Sequence, residues 1–129
     1  MGSFADQLAS FAAQTKGDID TVTAGGVHEV GQRLIDRTPK DTGQAKSNWN
    51  YSIETPDQHT TTQTGVRTIN GIEDLPKRAA AFIHYVTNSL PYIPALERGH
   101  SKQAPQGMVG LTALEWPQIV ADQALKVKR

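Results

Sequence analysis

The histidines are the residues of this chain whose type is best suited to metal binding. His28-Glu29 begins like the helical His-Glu-x-x-His motif of zinc proteases, but position 32 is Gln, so the second histidine ligand is missing. The other three, His59, His84 and His100, share no spacing typical of metal ligands. Several side chains must reach one ion, which restricts ligands to a few spacings. The sequence therefore predicts no metal site.

Ser101 is a candidate nucleophile, because Gly99-His100-Ser101-Lys102 matches four positions of the nucleophile elbow of serine hydrolases. The elbow needs a second glycine, where this chain has Gln103, and a strand that runs directly into the turn. Both features are missing, so we interpret the segment as a polar loop.

Carboxylates are the remaining residues that could perform acid–base chemistry. Asp36 and Asp41 flank a turn, and Glu73-Asp74 lies in a loop. Arginines and lysines are interleaved with them, which favours solvated ion pairs over catalytic carboxylates. The sequence predicts no catalytic residue and no cofactor.

A long helix over residues 3–37 is predicted by apolar residues that recur at steps of three and four. Ser3 is a candidate cap for its first amides, and Pro39 ends it by moving Thr38 out of helical geometry. A bend at Gly25-Gly26 is left open. The stripe consists of Phe4, Leu8, Phe11, Thr15, Ile19, Val22, Val27, Val30 and Leu34.

Strict alternation over residues 45–54 predicts a half-buried strand. Trp49 and Tyr51 share its apolar face, whereas Asn48 and Asn50 lie on the polar one. Aromatic residues on a sheet can stack on nucleic-acid bases, but no basic residues are interleaved with these two. Core packing is therefore the preferred interpretation.

Two more strands are expected before residue 88. The threonine-rich segment 59–68 is predicted to return along residues 45–54 as a hairpin strand, at an edge or paired with another subunit. Residues 80–87 are nearly continuously apolar or aromatic, which predicts a central strand covered on both sides.

The order of elements predicts a single α+β domain over residues 1–129. It comprises the long N-terminal helix, a small, mostly antiparallel sheet of three to four strands within residues 44–88, a loop over 88–107 and a C-terminal helix over 108–126. A short helical turn at 92–98 is closed by Gly99, and Pro117 kinks the C-terminal helix or begins its second half.

Composition excludes several classes of protein. The chain has 129 residues, a formal net charge of zero and no cysteine, so neither a strongly basic nucleic-acid binder nor a disulfide scaffold is expected. No apolar stretch approaches the length of a bilayer span, and the N-terminus lacks the basic region of a signal peptide. We expect a protein without membrane association that is made in the cytoplasm.

Two stretches of the chain resemble the phage tail-completion family of the minor tail protein Z type. The first is Thr38-Pro39-x-Asp41-Thr42-Gly43, followed by Ala45 and Asn48-Trp49. The second, more specific stretch runs over residues 88–109 and continues with Thr112 and Glu115-Trp116. Its residues are Asn88, Leu90, Pro91, Tyr92, Leu96, Glu97, Gly99, Ser101, Gln103, Ala104, Pro105, Gly107, Met108 and Val109.

This resemblance implies a structural virion protein at the head–tail junction of long-tailed phages. Related proteins form rings around the DNA channel, commonly of six or twelve copies, and DNA passes without sequence-specific binding. The implied partners are other copies of the chain and the neck, tail-terminator, tail-tube or head-completion proteins. The alternatives are a tail-terminator ring that ends tube growth and, less favoured, a small hydrolase or nuclease.

The residues of the second stretch are turn formers with a few polar side chains that can hold a turn in place. We predict interface or loop-locking roles for Trp49, Tyr92, Glu97, Gly99, Ser101, Gln103, Pro105 and Met108. Glu97 in particular is expected to accept backbone amides that follow Gly99, as a carboxylate caps a helix. A rigid loop is a good docking surface because it loses little entropy on binding.

Overall fold

The computed structural model describes residues 3–40, 43–99 and 101–127, and its first element is a helix of 34 residues, α1 (Phe4–Arg37). The Ser3 side chain accepts the Asp6 amide at 3.1 Å, and the Asp6 carboxylate accepts the Ser3 amide at 3.2 Å. This capping box satisfies amides that the first turn leaves without helical partners. Both the extent and the cap of the predicted helix are confirmed; the predicted turn residues Asp41 and Thr42 lie outside the described residues.

Glycines in the C-terminal half of α1 allow other elements to approach its backbone. A Cβ at Gly26 would lie 2.9 Å from the Trp116 ring, and one at Gly31 would lie 2.6 Å from Cγ1 of Ile69. The helix runs through Gly25-Gly26 without interruption. These glycines thus provide close packing within a continuous helix.

The sheet has two antiparallel strands in the described residues, β1 (Asn50–Ile53) and β2 (His84–Thr87). Asn50 pairs with Thr87 and Ile53 pairs with His84. The prediction of three to four strands was wrong. Only the second half of predicted strand 45–54 is extended, because Lys46–Asn48 forms a 3-10 turn.

Residues 59–68 form no strand, and the predicted hairpin was wrong. Asn48 explains this: its side-chain amide donates to the carbonyls of Gln44 and Thr61, and its side-chain oxygen accepts the Thr61 amide at 2.7 Å. Asn50 likewise donates to the His59 carbonyl at 2.7 Å. Asn48 and Asn50 of the predicted polar outer face are therefore buried, and their side chains replace a partner strand.

The predicted central strand over residues 80–87 is extended only in β2, which is half-buried along its length. A 3-10 turn occupies Ala79–Ala81, and Ile83 is 61% exposed. Within the described residues β2 pairs with β1 alone, so it is not a central strand. Burial on both faces was wrongly inferred because an apolar run can also surround a turn.

Three helices complete the α+β fold: α2 (Ile93–Glu97), α3 (Val109–Leu114) and α4 (Trp116–Lys126). Pro117 lies in the first turn of α4, where a missing amide proton costs nothing, so it begins the second half of the predicted C-terminal helix. None of the described helices has the length and hydropathy needed to cross a bilayer. The main core contains Val27, Leu34, Ile35, Ala45, Trp49, Tyr51, Ile69, Leu90, Ile93, Ala104 and Met108.

Candidate interaction site

Glu97 joins residues 88–107, which we call the motif loop, to the start of α3. It ends α2, and its carboxylate accepts the backbone amides of Met108 at 2.9 Å, Val109 at 2.8 Å and Gly110 at 3.0 Å. Burial raises the pKa of the Glu97 carboxyl, but the three amide hydrogen bonds lower it by more, so its pKa lies below the ordinary value. Glu97 therefore caps α3 from a distant part of the sequence, as the sequence led us to expect.

Two glycines give the motif loop a path that other residues would obstruct. Gly99 and Gly107 have φ values of +86° and +82°, a left-handed conformation that favours glycine. A Cβ at Gly99 would lie 2.3 Å from the Pro105 carbonyl oxygen, and one at Gly107 would lie 2.4 Å from that of Glu97. Both positions thus require glycine for conformation and for space.

Gln103 connects the motif loop to the segment that follows α1. Its side-chain oxygen accepts the Lys40 amide at 2.8 Å, and its side-chain nitrogen donates to the Lys40 carbonyl at 3.2 Å. Within the loop, the Ser101 hydroxyl accepts the Gln103 amide at 3.2 Å. Asn88 adds a second connection by donating to the Ala45 carbonyl at 2.8 Å.

The remaining predicted residues divide into buried and exposed groups. Trp49 is buried and donates from Nε1 to the Thr38 hydroxyl at 2.8 Å, and Met108 is completely buried beside the helix that Glu97 caps. Tyr92 and Pro105 are exposed at the surface of the motif loop. Trp49 and Met108 thus form the buried side of the site, whereas Tyr92 and Pro105 are accessible to a partner.

An arginine–glutamate cluster lies beside the motif loop and was not predicted as part of the site. The Glu115 carboxylate accepts a hydrogen bond from Nη2 of Arg37 at 2.7 Å. It also forms an ion pair with Arg33, whose Nη1 lies 3.1 Å away. The hydrogen bond from Arg37, partly opposed by desolvation and assisted by Arg33, lowers the pKa of Glu115 to about 2. Arg33 and Arg37 are four residues apart on α1, a spacing that places both on one face and could have indicated a shared acidic partner.

His84 and Tyr51 form a second unpredicted pair, between β2 and β1. The Tyr51 hydroxyl lies 2.6 Å from His84 Nδ1, and His84 Nε2 lies 2.7 Å from the Ala79 carbonyl. A carbonyl only accepts, so Nε2 carries the proton and Nδ1 accepts from Tyr51. This arrangement fixes the imidazole ring as a structural element of the sheet.

Most of the candidate catalytic residues lie apart from one another and, of those that the structure describes, His28 and Glu73 are the two that share a cavity. A cavity of about 760 Å³ brings His28 and Glu73 together with Asp20 and Lys77. Within residues 3–40, 43–99 and 101–127, no three histidine or acidic side chains are placed to hold a metal ion. Ser101 follows α2 and not a strand, and its predicted neighbour His100 lies outside the described residues.

In comparisons with known proteins, no family model, curated protein or solved structure matches the chain.

Proposed function

We propose that this chain is a structural virion protein of a tailed bacteriophage, a tail-completion or neck subunit that helps to join tail to head. The observation that carries the proposal is that the two sequence stretches with the family resemblance meet in one hydrogen-bonded cluster. Gln103 pairs with Lys40, and Asn88 pairs with Ala45, across more than forty residues of sequence. A shared motif whose parts support each other in space is better explained by a common role than by isolated matches.

The chemistry of this cluster suits docking. The loop is fixed by the hydrogen bonds of Glu97 and Gln103. The left-handed backbone conformations of Gly99 and Gly107 also fix it. Because the loop is ordered in advance, a partner that contacts Tyr92 or Pro105 loses little conformational entropy on binding. In this proposal the subunit acts without catalysis or cofactor.

The proposed assembly is a ring of copies at the head–tail junction, six or twelve in number, built in the host cytoplasm and retained in the virion. The neighbours would be the tail terminator, the tail tube or head-completion proteins. The formal net charge of zero suits a ring around a channel, since a strongly basic lining would retain the DNA that must slide through.

A nonsense mutation in the gene tests this proposal, with particles from a non-permissive host viewed by electron microscopy. We expect filled heads beside separate tails of normal length. Overlong tails would replace the assignment with the tail-terminator alternative. Intact, infectious particles would refute the structural role and turn attention to a hydrolase or nuclease activity.

A further inference from the structure

The first half of α1 carries an apolar surface that its own chain does not cover. Phe4, Leu8 and Phe11, which we call the α1 ridge, are 79%, 56% and 67% exposed. They follow one another at steps of four and three residues, so they lie on one face of the helix. Large apolar side chains in such a row mark an interaction surface.

A complementary groove lies on the other half of the molecule. This groove, which we call the α1–α3 groove, has a volume of about 560 Å³. It runs between α1 and α3 and is also lined by β2 and the start of α4. No acidic, lysine or arginine side chain of the described residues lines it. Its apolar lining includes Val27, Val30, Leu34, Val86, Val109 and Trp116.

We propose that the α1 ridge of one copy occupies the α1–α3 groove of a second copy. This inference deepens the proposed function and rests on it for the ring, since it names the surfaces that would join neighbouring subunits. The one ionisable side chain among the groove-lining residues is His84, which already hydrogen-bonds to the Tyr51 hydroxyl and the Ala79 carbonyl, so association desolvates no unpaired ion there.

The dimensions of the two surfaces agree. Phe4 and Phe11 are separated by about 10 Å along the helix axis, and the part of α1 that lines the groove, from Thr23 to Leu34, extends about 16 Å. The ridge is therefore short enough to lie within the groove.

The exposed area is also sufficient for a stable contact. The chain exposes 8322 Å², whereas a compact monomer of 14.0 kDa exposes about 6,700 Å². A standard protein–protein interface buries about 800 Å² on each partner, so the excess of about 1,600 Å² corresponds to two such contacts per copy. Contacts at both the ridge and the groove would bring the subunit close to the area expected for a compact monomer.

The positions of ridge and groove allow one copy to contact two neighbours. At 100° per residue, the groove-lining residues of α1 point roughly 100° away from the ridge around the helix axis. Ridge and groove are different surfaces, so the contact is head-to-tail, and repetition of such a contact closes a ring when the rotation allows it.

The absence of native cysteine permits a direct cross-linking test. A Leu8→Cys chain is mixed with a size-tagged Ala113→Cys chain and treated with a short bismaleimide. Ala113 is exposed on α3 and lines the groove. An Ala13→Cys chain is the matched control, because Ala13 is also exposed but lies on the opposite face of α1. We expect the Leu8 pair to yield at least about tenfold more mixed product than the Ala13 pair, since a specific contact raises local concentration.

A second measurement does not depend on whether the bismaleimide can span the two cysteines. Light scattering of the wild-type chain, Leu8→Glu and Ala13→Glu should show that only Leu8→Glu lowers the mass of the assembly. Equal cross-linking of both pairs, or assemblies unchanged by Leu8→Glu, would overturn the inference, as would a wild-type chain that stays monomeric at its highest attainable concentration. These outcomes are independent of the nonsense-mutant particles, which test the proposed function itself.

Discussion

At the scale of single residues, Glu97 is the side chain on which the motif loop most depends. Its two oxygens satisfy three amides at the start of α3, a helix whose preceding residues supply no side-chain cap. The sequence suggested this role because Glu97 precedes Gly99 in a stretch of turn formers, where a carboxylate can accept the backbone amides that follow. It could not indicate which amides would be bound, since that depends on the path forced by Gly99 and Gly107.

Replacement of Glu97 by glutamine tests this contribution to stability. In Glu97→Gln one oxygen becomes an amide nitrogen that cannot accept, so at least one α3 amide loses its partner. We expect the free energy of unfolding to fall by about 1–3 kcal/mol in urea denaturation. Glu73→Gln is the matched control, because Glu73 is exposed in the 3-10 turn Ile72–Asp74 and should change stability by less than about 0.5 kcal/mol. Equal values for the two variants would contradict the assigned role.

The Glu115 cluster predicts a specific dependence of stability on pH. The folded pKa of about 2 lies below the ordinary value of 4.5. Stability from this group is therefore complete above pH 4.5 and is lost as pH falls toward 2.

Melting temperatures of the wild-type chain and Glu115→Gln measure this effect across the same range. We expect the wild-type chain to melt higher at neutral pH and the difference to shrink as pH falls through the window. A difference that stays constant down to pH 2 would show that Arg33 and Arg37 do not favour the ionised carboxylate. Glu29→Gln, which removes only the pairing of Arg33 within α1, is the control.

At the scale of elements, α1 is the part of the fold that follows most directly from the sequence. Its stripe of apolar residues and its cap indicate a helix whatever the tertiary surroundings. Only packing against the rest of the molecule reveals that its second half is buried and its first half is not. Gly31 belongs to the buried half, where Ile69 lies against it, and Gly17 belongs to the free half.

The two glycines should respond oppositely to alanine substitution. Gly17→Ala meets nothing within 4 Å, so it should stabilise the protein by up to about 1 kcal/mol through helix propensity. Gly31→Ala places a methyl 2.6 Å from buried Ile69 and should destabilise by about 1–3 kcal/mol. Denaturant midpoints decide between the two signs, and stabilisation by Gly31→Ala would refute the close packing of α1.

The sheet was less predictable, because its polar residues serve contacts that no local pattern reveals. Alternation around Trp49 and Tyr51 indicated which residues enter the core. It also suggested that Asn48 is on a solvent-facing strand surface, whereas this side chain is buried and binds the backbone amide and carbonyl of Thr61. A side-chain amide can replace a partner strand, and sequence periodicity does not distinguish the two arrangements.

At the scale of the whole molecule, the chain exposes more surface than a compact monomer, and Phe4, Leu8 and Phe11 at one end of α1 are among its exposed large apolar residues. The motif loop lies at the other end of α1, where Gln103 binds Lys40. In the proposed ring, the α1 ridge and the α1–α3 groove would contact copies of the chain, and the motif loop would contact a different neighbour. Such a division fits a ring that must connect two larger structures.

Restoration of joining in vitro tests whether this chain is the component that joins tail to head. Lysate from the nonsense mutant is mixed with purified wild-type chain, and infectious particles are counted. We predict that the wild-type chain and Glu73→Gln both raise the titre, whereas Glu97→Ala restores it less at equal concentration because its motif loop is no longer fixed. If no chain raises the titre of a lysate that contains filled heads and normal tails, or if the lysate is already infectious, the chain is not the component that joins them.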